Sequence, residues 1–281
     1  MFRLLFRFLS LVPLRLSWAL GAALGHLVWH SSFAYRSKAR VQLKAAGYDL
    51  DGPLPSKSSA NAGRLLAELP ALWFWSDSKL FKHCHSPSLA VLDEALLRAQ
   101  RESRGLLFVT PHLGSFEVIP RFIAQFVPIT ILFKPAKMSA VDQLLRLARN
   151  RPRVKAVPAD LSGVRGLLRC LKRGEAVGLL PDQVPGQGDG CLAPFFGRPA
   201  WTMTLPQGLI KRADPIVIMA LAERCVPAKS NRSTYWEIHF EHYEGDGSPQ
   251  AINQTLEHLI RRLPEQYLWS YNRYKGTETV K

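Results

Sequence analysis

Along the chain, hydrophobic and polar positions change period several times. Four short apolar runs, Leu106–Thr110, Ile129–Phe133, Ala176–Leu180 and Ile216–Leu221, have the length and continuity of strands buried on both faces. Tyr235–Tyr243 alternates instead, with Trp236, Ile238 and Phe240 on one face and Glu237, His239 and Glu241 on the other, as in a half-exposed strand. Helical spacing predicts helices over 87–102, 116–126, 139–149, 161–173, 202–212 and 249–263. Ser248-Pro249 supplies an N-cap and first-turn proline for the last of these. Strands alternating with helices predict an α/β sheet. Upstream, residues 49–62 read as a loop. Residues 63–82 read as a helix that Pro70 would kink or break, carrying an aromatic knot at Trp73, Phe74 and Trp75.

The N-terminus follows a different pattern. Arg3, Arg7, Arg15, Arg36, Lys38, Arg40 and Lys44 precede the first carboxylate, Asp49. Between Arg15 and Arg36 the chain is uncharged for 20 residues, enough for a helix to cross a hydrocarbon core of about 30 Å. Ser17, His26, His30, Ser31 and Ser32 dilute its apolarity. A transmembrane helix, an interfacial helix with Trp18 and Trp29 as anchors, and a cleaved signal peptide all remain open. The basic flanks favour anionic lipid.

Composition adds one distinctive feature. The 281 residues are 47% hydrophobic and 21% charged, ordinary globular values, but Lys plus Arg outnumber Asp plus Glu by 37 to 22, a net charge of +15. A surface of that sign suits phosphates: nucleic acid, anionic headgroups, a phosphorylated substrate or an acidic carrier protein. Cys84, Cys170, Cys191 and Cys225 show no CxxC spacing and read as free thiols, and no metal site is expected.

The chemistry concentrates in Val109-Thr110-Pro111-His112-Leu113-Gly114-Ser115-Phe116-Glu117, between a predicted strand and a predicted helix. Ligands gather at the carboxyl ends of strands in such sheets. In one continuous helix, residues five apart point about 140° away from each other. With His112 in the turn and Glu117 in the first helical turn, the carboxylate can reach the imidazole, fix its tautomer and leave the other nitrogen to deprotonate a hydroxyl. Gly114 admits close approach to the backbone, and the helix N-terminal amides nearby are candidate oxyanion donors. Ser115 is a competing nucleophile, although the G-x-S-x-G elbow is missing.

Two further clusters accompany this motif. Arg146, Arg149, Arg151, Arg153 and Lys155 form a candidate anion site, with Asp142 placed to pair with Arg146. Pro181-Asp182-Gln183-Val184-Pro185-Gly186 directly follows the Ala176–Leu180 run and opens a glycine-rich loop that runs through Pro194-Phe195-Phe196-Gly197 to Pro199.

Together these segments resemble the late acyltransferases of lipid A biosynthesis, the lauroyl/myristoyl transferase family within the lysophospholipid acyltransferase-like superfamily. The His112-to-Glu117 spacing fits that family's H-x-x-x-x-D/E motif. Phe133-Lys134-Pro135 with Asp142 and Arg149, the 181–186 and 194–197 segments, and Pro264-Glu265-Gln266-Tyr267-Leu268-Trp269 fit its later blocks in order. The resemblance implies a glycerolipid-acyltransferase-like α/β fold, a mixed sheet flanked by helices. It implies a membrane-spanning or interfacial helix over 1–35 and an acyltransferase domain over 36–281. It implies His112 and Glu117 as the catalytic pair, and Arg149, Lys134, Asp182, Gln183, Gly114 and Arg146 as substrate contacts. The donor would be acyl–acyl carrier protein and the acceptor a phosphorylated glycolipid, on the cytoplasmic side of an inner membrane rich in anionic lipid. Neither metal nor cofactor is expected, nor a nucleic-acid partner. The chain departs from the family at Tyr271-Asn272-Arg273-Tyr274-Lys275 and at Lys134, both expected headgroup contacts. Those departures leave another membrane lipid as an alternative acceptor. A non-catalytic basic membrane-binding protein is the alternative of a different class.

Overall fold

All four apolar runs and the alternating segment form strands of one sheet in the computed structural model, which describes residues 2–133, 145, 149, 151–226 and 234–277. The strands are β1 (Cys84–His85), β2 (Leu106–Val109), β3 (Ile129–Phe133), β4 (Val154–Pro158), β5 (Ala176–Leu179), β8 (Ile216–Cys225) and β9 (Tyr235–His242). Their order is β1-β9-β8-β2-β5-β3-β4, parallel except for the antiparallel β8–β9 pair. Successive side chains feed opposite layers. Leu106 and Phe108 enter one core, Leu107 and Val109 the other. Burial on both faces is why these strands read as unbroken apolar runs.

One layer contains α4 (Leu54–Phe74), α6 (Leu89–Glu102) and α7 (Ile119–Ile123), through residues such as Leu72, Leu92 and Phe122. The other contains α3 (Phe33–Ala45), α8 (Leu161–Lys172), α9 (Leu205–Ala213) and α10 (Pro249–Arg262), through Leu43, Leu167, Leu209 and Leu256. The short helix α5 (Asp77–Phe81) leads into β1. Ser248 caps α10 as expected, accepting from the Ala251 amide at 3.2 Å.

Several expectations require correction. Residues 54–62 are helical, and Pro70 does not end α4. Packing overrides the weak local preference there. Ser58, Ser59 and Asn61 are buried, and Ser59 Oγ donates to the Gly25 carbonyl of α2 (Leu14–Ser31) at 2.7 Å. At Gly63 a Cβ would fall 1.9 Å from the Gly21 carbonyl, so only glycine allows α2 and α4 to approach this closely. The aromatic knot belongs to the core, with Trp73 and Trp75 buried and Trp75 Nε1 donating to the Ser10 carbonyl at 2.7 Å. The loop expected through 199 instead forms a hairpin of β6 (Gly190–Phe195) and β7 (Arg198–Met203), and the helix expected from 202 begins at Leu205. The hairpin's turn residues Phe196 and Gly197 both have positive φ, the backbone a tight hairpin requires. Edge strand β4 was missed because its Val-Lys-Ala-Val-Pro sequence is only partly covered.

The N-terminal pair, α1 (Phe2–Leu9) and α2, bends by 112° at its break. Among the described residues no single helix is long and apolar enough to cross a bilayer. One side of α2 is built into the protein through Leu14, Trp18, Gly21, Ala22 and Trp29, while Leu16, Leu20, Leu24 and Leu27 on its other side are exposed.

Candidate active site

Strands β2 and β5 are parallel neighbours, with Val109 opposite Leu179. Three positions beyond that matched pair stand His112 and Asp182, each directly after a proline. Equal overhang from adjacent strand ends brings the two side chains together. His112 Nδ1 lies 2.7 Å from Asp182 Oδ1, and the His112 amide donates to Asp182 Oδ2 at 2.9 Å. Asp182 therefore fixes both the ring and the backbone that carries it. The expectation that Glu117 would hold His112 is corrected: the carboxylate on Nδ1 is Asp182.

Glu117 instead lies in a 3₁₀ turn (Phe116–Val118) and pairs with Arg149, through Arg149 Nη2 and through Nε at 3.4 Å. The intervening Phe116 ring packs edge-on against His112, with centroids 4.8 Å apart. The 3₁₀ turn carries Glu117 past the imidazole, so nearness in sequence does not become contact.

The other imidazole nitrogen faces the substrate-binding candidate Gln183, whose Nε2 is 3.2 Å from His112 Nε2. With the proton placed on Nδ1 toward Asp182, Nε2 holds a lone pair that a side-chain amide or a hydroxyl can meet. Burial opposes ionisation of Asp182, which is only 1% exposed. The adjacent His112, its two hydrogen bonds and the field of Arg273 outweigh that cost and hold the carboxyl below its usual range. Tyr267, buried beside Asp182, has its phenol pushed well up, first by burial and then by that carboxylate. The Asp182–Gln183 loop is held from the C-terminal segment, where Tyr271 OH accepts from the Val184 amide at 2.9 Å.

Gly114 has a φ of 59° and forms a one-residue bridge to Ala222 of β8. A Cβ there would lie 1.9 Å from the Ala222 carbonyl, so the turn admits only glycine. The amides of the turn itself are already committed. Those of Leu113, Gly114 and Ser115 donate to the carbonyls of Pro111, Gln266 and Ala222 at 2.7, 3.1 and 2.7 Å, and that of His112 donates to Asp182. Ser115 Oγ is buried, with no hydrogen-bond partner among the described residues, which removes it as a nucleophile open to substrate.

The described members of the basic cluster, Arg149, Arg151, Arg153 and Lys155, do not converge. Arg149 sits on Glu117. Arg151 donates to the Trp73 carbonyl, Arg153 to that of Phe126 at 2.9 Å, and both line a cavity of about 360 Å³ with Lys155 at the amino ends of β3 and β4, opposite the strand ends bearing His112. The chain reverses through Arg153, at φ 66°, to enter β4, and this turns the later cations away. Lys134, Asp142 and Arg146 lie outside the described residues. In the C-terminal departure, Arg273 is no headgroup contact. It is buried, donating to the Trp201 carbonyl at 2.5 Å and Thr202 Oγ1 at 2.9 Å.

The carboxylate of Asp182 was visible as a polar residue at a strand end; its partnership with His112 was not. The available clue was the parallel between Thr-Pro-His after one apolar run and Leu-Pro-Asp after another.

Comparison with known proteins identifies the family. The sequence profile of the family described as "Bacterial lipid A biosynthesis acyltransferase" matches residues 4–276. The chain is 29% identical over 217 residues to a lipid A biosynthesis palmitoleoyltransferase of Escherichia coli K12, covering 76% of this chain and 68% of that protein. It is 22% identical over 222 residues to a lipid A biosynthesis lauroyltransferase of the same organism, covering 78% and 71%. A lipid A biosynthesis acyltransferase of Haemophilus influenzae is 24% identical over 270 residues, covering 93% and 82%. With the profile spanning nearly its whole length, the chain belongs to the bacterial lipid A biosynthesis acyltransferase family, and is an enzyme that transfers acyl groups.

Proposed function

We propose that the protein transfers a fatty acyl chain from acyl–acyl carrier protein to a hydroxyl of a lipid A precursor, with His112 as general base and Asp182 as its buried partner. The observation that carries this reading is the His112–Asp182 pair at adjacent strand ends, with Nε2 turned away from the carboxylate. In the reaction, the acceptor O–H gives its proton to Nε2 while its oxygen attacks the thioester carbonyl carbon. Collapse of the tetrahedral intermediate breaks the carbon–sulfur bond, and the imidazolium returns the proton to the departing thiolate. The Asp182 carboxylate stabilises the imidazolium between the two steps.

With the amides from 112 to 115 committed elsewhere, charge developing on the carbonyl oxygen needs other donors. Gln183 Nε2 is the nearest candidate, and Glu117 orients Arg149 toward a phosphorylated or carbonyl group. Neither step calls for a metal or a redox cofactor; Lys134 and Arg146 remain proposed acceptor contacts.

The same reading places the enzyme on the cytoplasmic side of an anionic inner membrane. Leu4, Phe8 and Leu11 are exposed as the α2 leucines are, and the seven cations before Asp49 complement anionic headgroups. An acidic carrier protein suits the +15 charge.

The test uses the full chain in vesicles containing anionic lipid, with acyl–acyl carrier protein and a lipid A precursor, and product mass as readout. Wild type should add one acyl chain per acceptor, and His112→Ala should lose at least ~100-fold in rate. Near-normal turnover of that variant removes His112 from the mechanism. Transfer to another membrane lipid but not to the precursor reassigns the acceptor.

A further inference from the structure

A carboxylate and a guanidinium form an ion pair in the core behind the turn that carries His112. Glu68 of α4 is fully buried, and the Arg224 side chain at the end of β8 is 1% exposed. Glu68 Oε1 accepts from Arg224 Nη2 at 2.9 Å. Its Oε2 accepts from Arg224 Nε at 3.0 Å, from Trp18 Nε1 of α2 at 3.0 Å and from Trp236 Nε1 of β9 at 3.1 Å. Stability alone is a poor reason for such a pair, because well-packed apolar residues of similar volume generally serve as well or better.

What an apolar pair cannot do is reach a peptide. Arg224 Nη2 also donates to the Gly114 carbonyl at 2.6 Å, while the other end of the same peptide, the Ser115 amide, donates to the Ala222 carbonyl at 2.7 Å. The peptide two residues beyond His112 is thus held at both ends, in a left-handed conformation only glycine tolerates. Gln266 locks Arg224 in turn, accepting from its amide at 3.0 Å and donating to its carbonyl at 3.3 Å.

We infer that Glu68 and Arg224 are positioning residues for His112: the paired guanidinium fixes the Gly114 peptide, and Trp18 ties that clamp to helix α2. They touch no substrate and act through the turn that aims the imidazole. The inference rests on the proposed role of His112, so the two must be tested separately.

The experiment compares wild type with E68M/R224M, which removes both charges together and leaves neither stranded. The expected variant is folded but melts lower, because the Trp18 and Trp236 indoles and the Gly114 carbonyl lose their partners. Assayed below its melting temperature, it should show unchanged KM and kcat reduced ~10- to 100-fold, since small misplacements of a catalytic group cost on that order. In the same samples, the downfield NMR signal of the His112 Nδ1 proton should shift or vanish. Should the double variant not fold, R224K decides. One ammonium cannot serve both Glu68 oxygens and the Gly114 carbonyl in planar geometry, so kcat should still fall at constant KM. Wild-type kcat with an unshifted imidazole signal in either folded variant overturns the inference. His112→Ala assayed in parallel separates the cases. If that variant stays active, the base assignment has failed, and the imidazole signal alone judges the clamp.

Discussion

Replacing Asp182 by asparagine tests which carboxylate serves His112. Asp182 accepts two hydrogen bonds from one residue, the His112 amide on Oδ2 at 2.9 Å and the imidazole Nδ1 on Oδ1 at 2.7 Å. Asparagine offers one oxygen and one NH₂. The backbone amide can only donate, so the oxygen must face it and the NH₂ must face Nδ1. The imidazole then accepts at Nδ1 and carries its proton on Nε2, the tautomer with no lone pair for a substrate hydroxyl. The opposite amide orientation would set two N–H donors against each other. Loss of a general base costs about 10²- to 10⁴-fold in rate, or about 3–5 kcal/mol in activation free energy. Single-turnover acyl transfer measures it. D182N should fall in this range, with the acceptor KM little changed. Turnover within about threefold of wild type would refute the tautomer reasoning and return the partnership to Glu117.

The same variant predicts a pH signature in stability. The Asp182 carboxyl is depressed below its ordinary 3.8 in the fold. Its contribution is therefore complete above the unfolded value and lost as pH falls through the folded one. The melting-temperature gap between wild type and D182N should be steady from about pH 5 upward and close below about pH 4. A gap that widens on acidification contradicts this sign.

Three further outcomes follow. E117Q and R149A should each slow transfer, and the double variant should fall short of the product of the single losses by about tenfold, since the two act as a pair; fully multiplicative losses would separate them. S115A should keep turnover within about twofold and melt no lower than wild type, because the Ser115 hydroxyl is buried without a partner among the described residues; a large loss would revive a serine nucleophile. L24E/L27E should weaken co-sedimentation with anionic vesicles by about 100-fold or more, given about 1.5–3 kcal/mol for each leucine removed from water. Unchanged binding would move the membrane contact away from α2.

What local pattern could determine, it did. Strands buried on both faces have an unmistakable apolar run, so β2, β3, β5 and β8 were readable, and so were His112 and Asp182 as polar residues just past strand ends. Short edge strand β4 and the β6–β7 hairpin lack that signal because much of their surface is exposed. The choice of partner for His112 depended on the order of strands in the sheet. Glu117 is five residues away and Asp182 seventy, yet the β2–β5 pairing makes the distant one the neighbour. Glu68 and Arg224, 156 residues apart, carry no local sign that they are buried together. Periodicity reports which face of an element is covered. Only the packed chain decides what covers it, because hydrogen bonds and ion pairs join atoms that folding brings together regardless of their separation along the backbone.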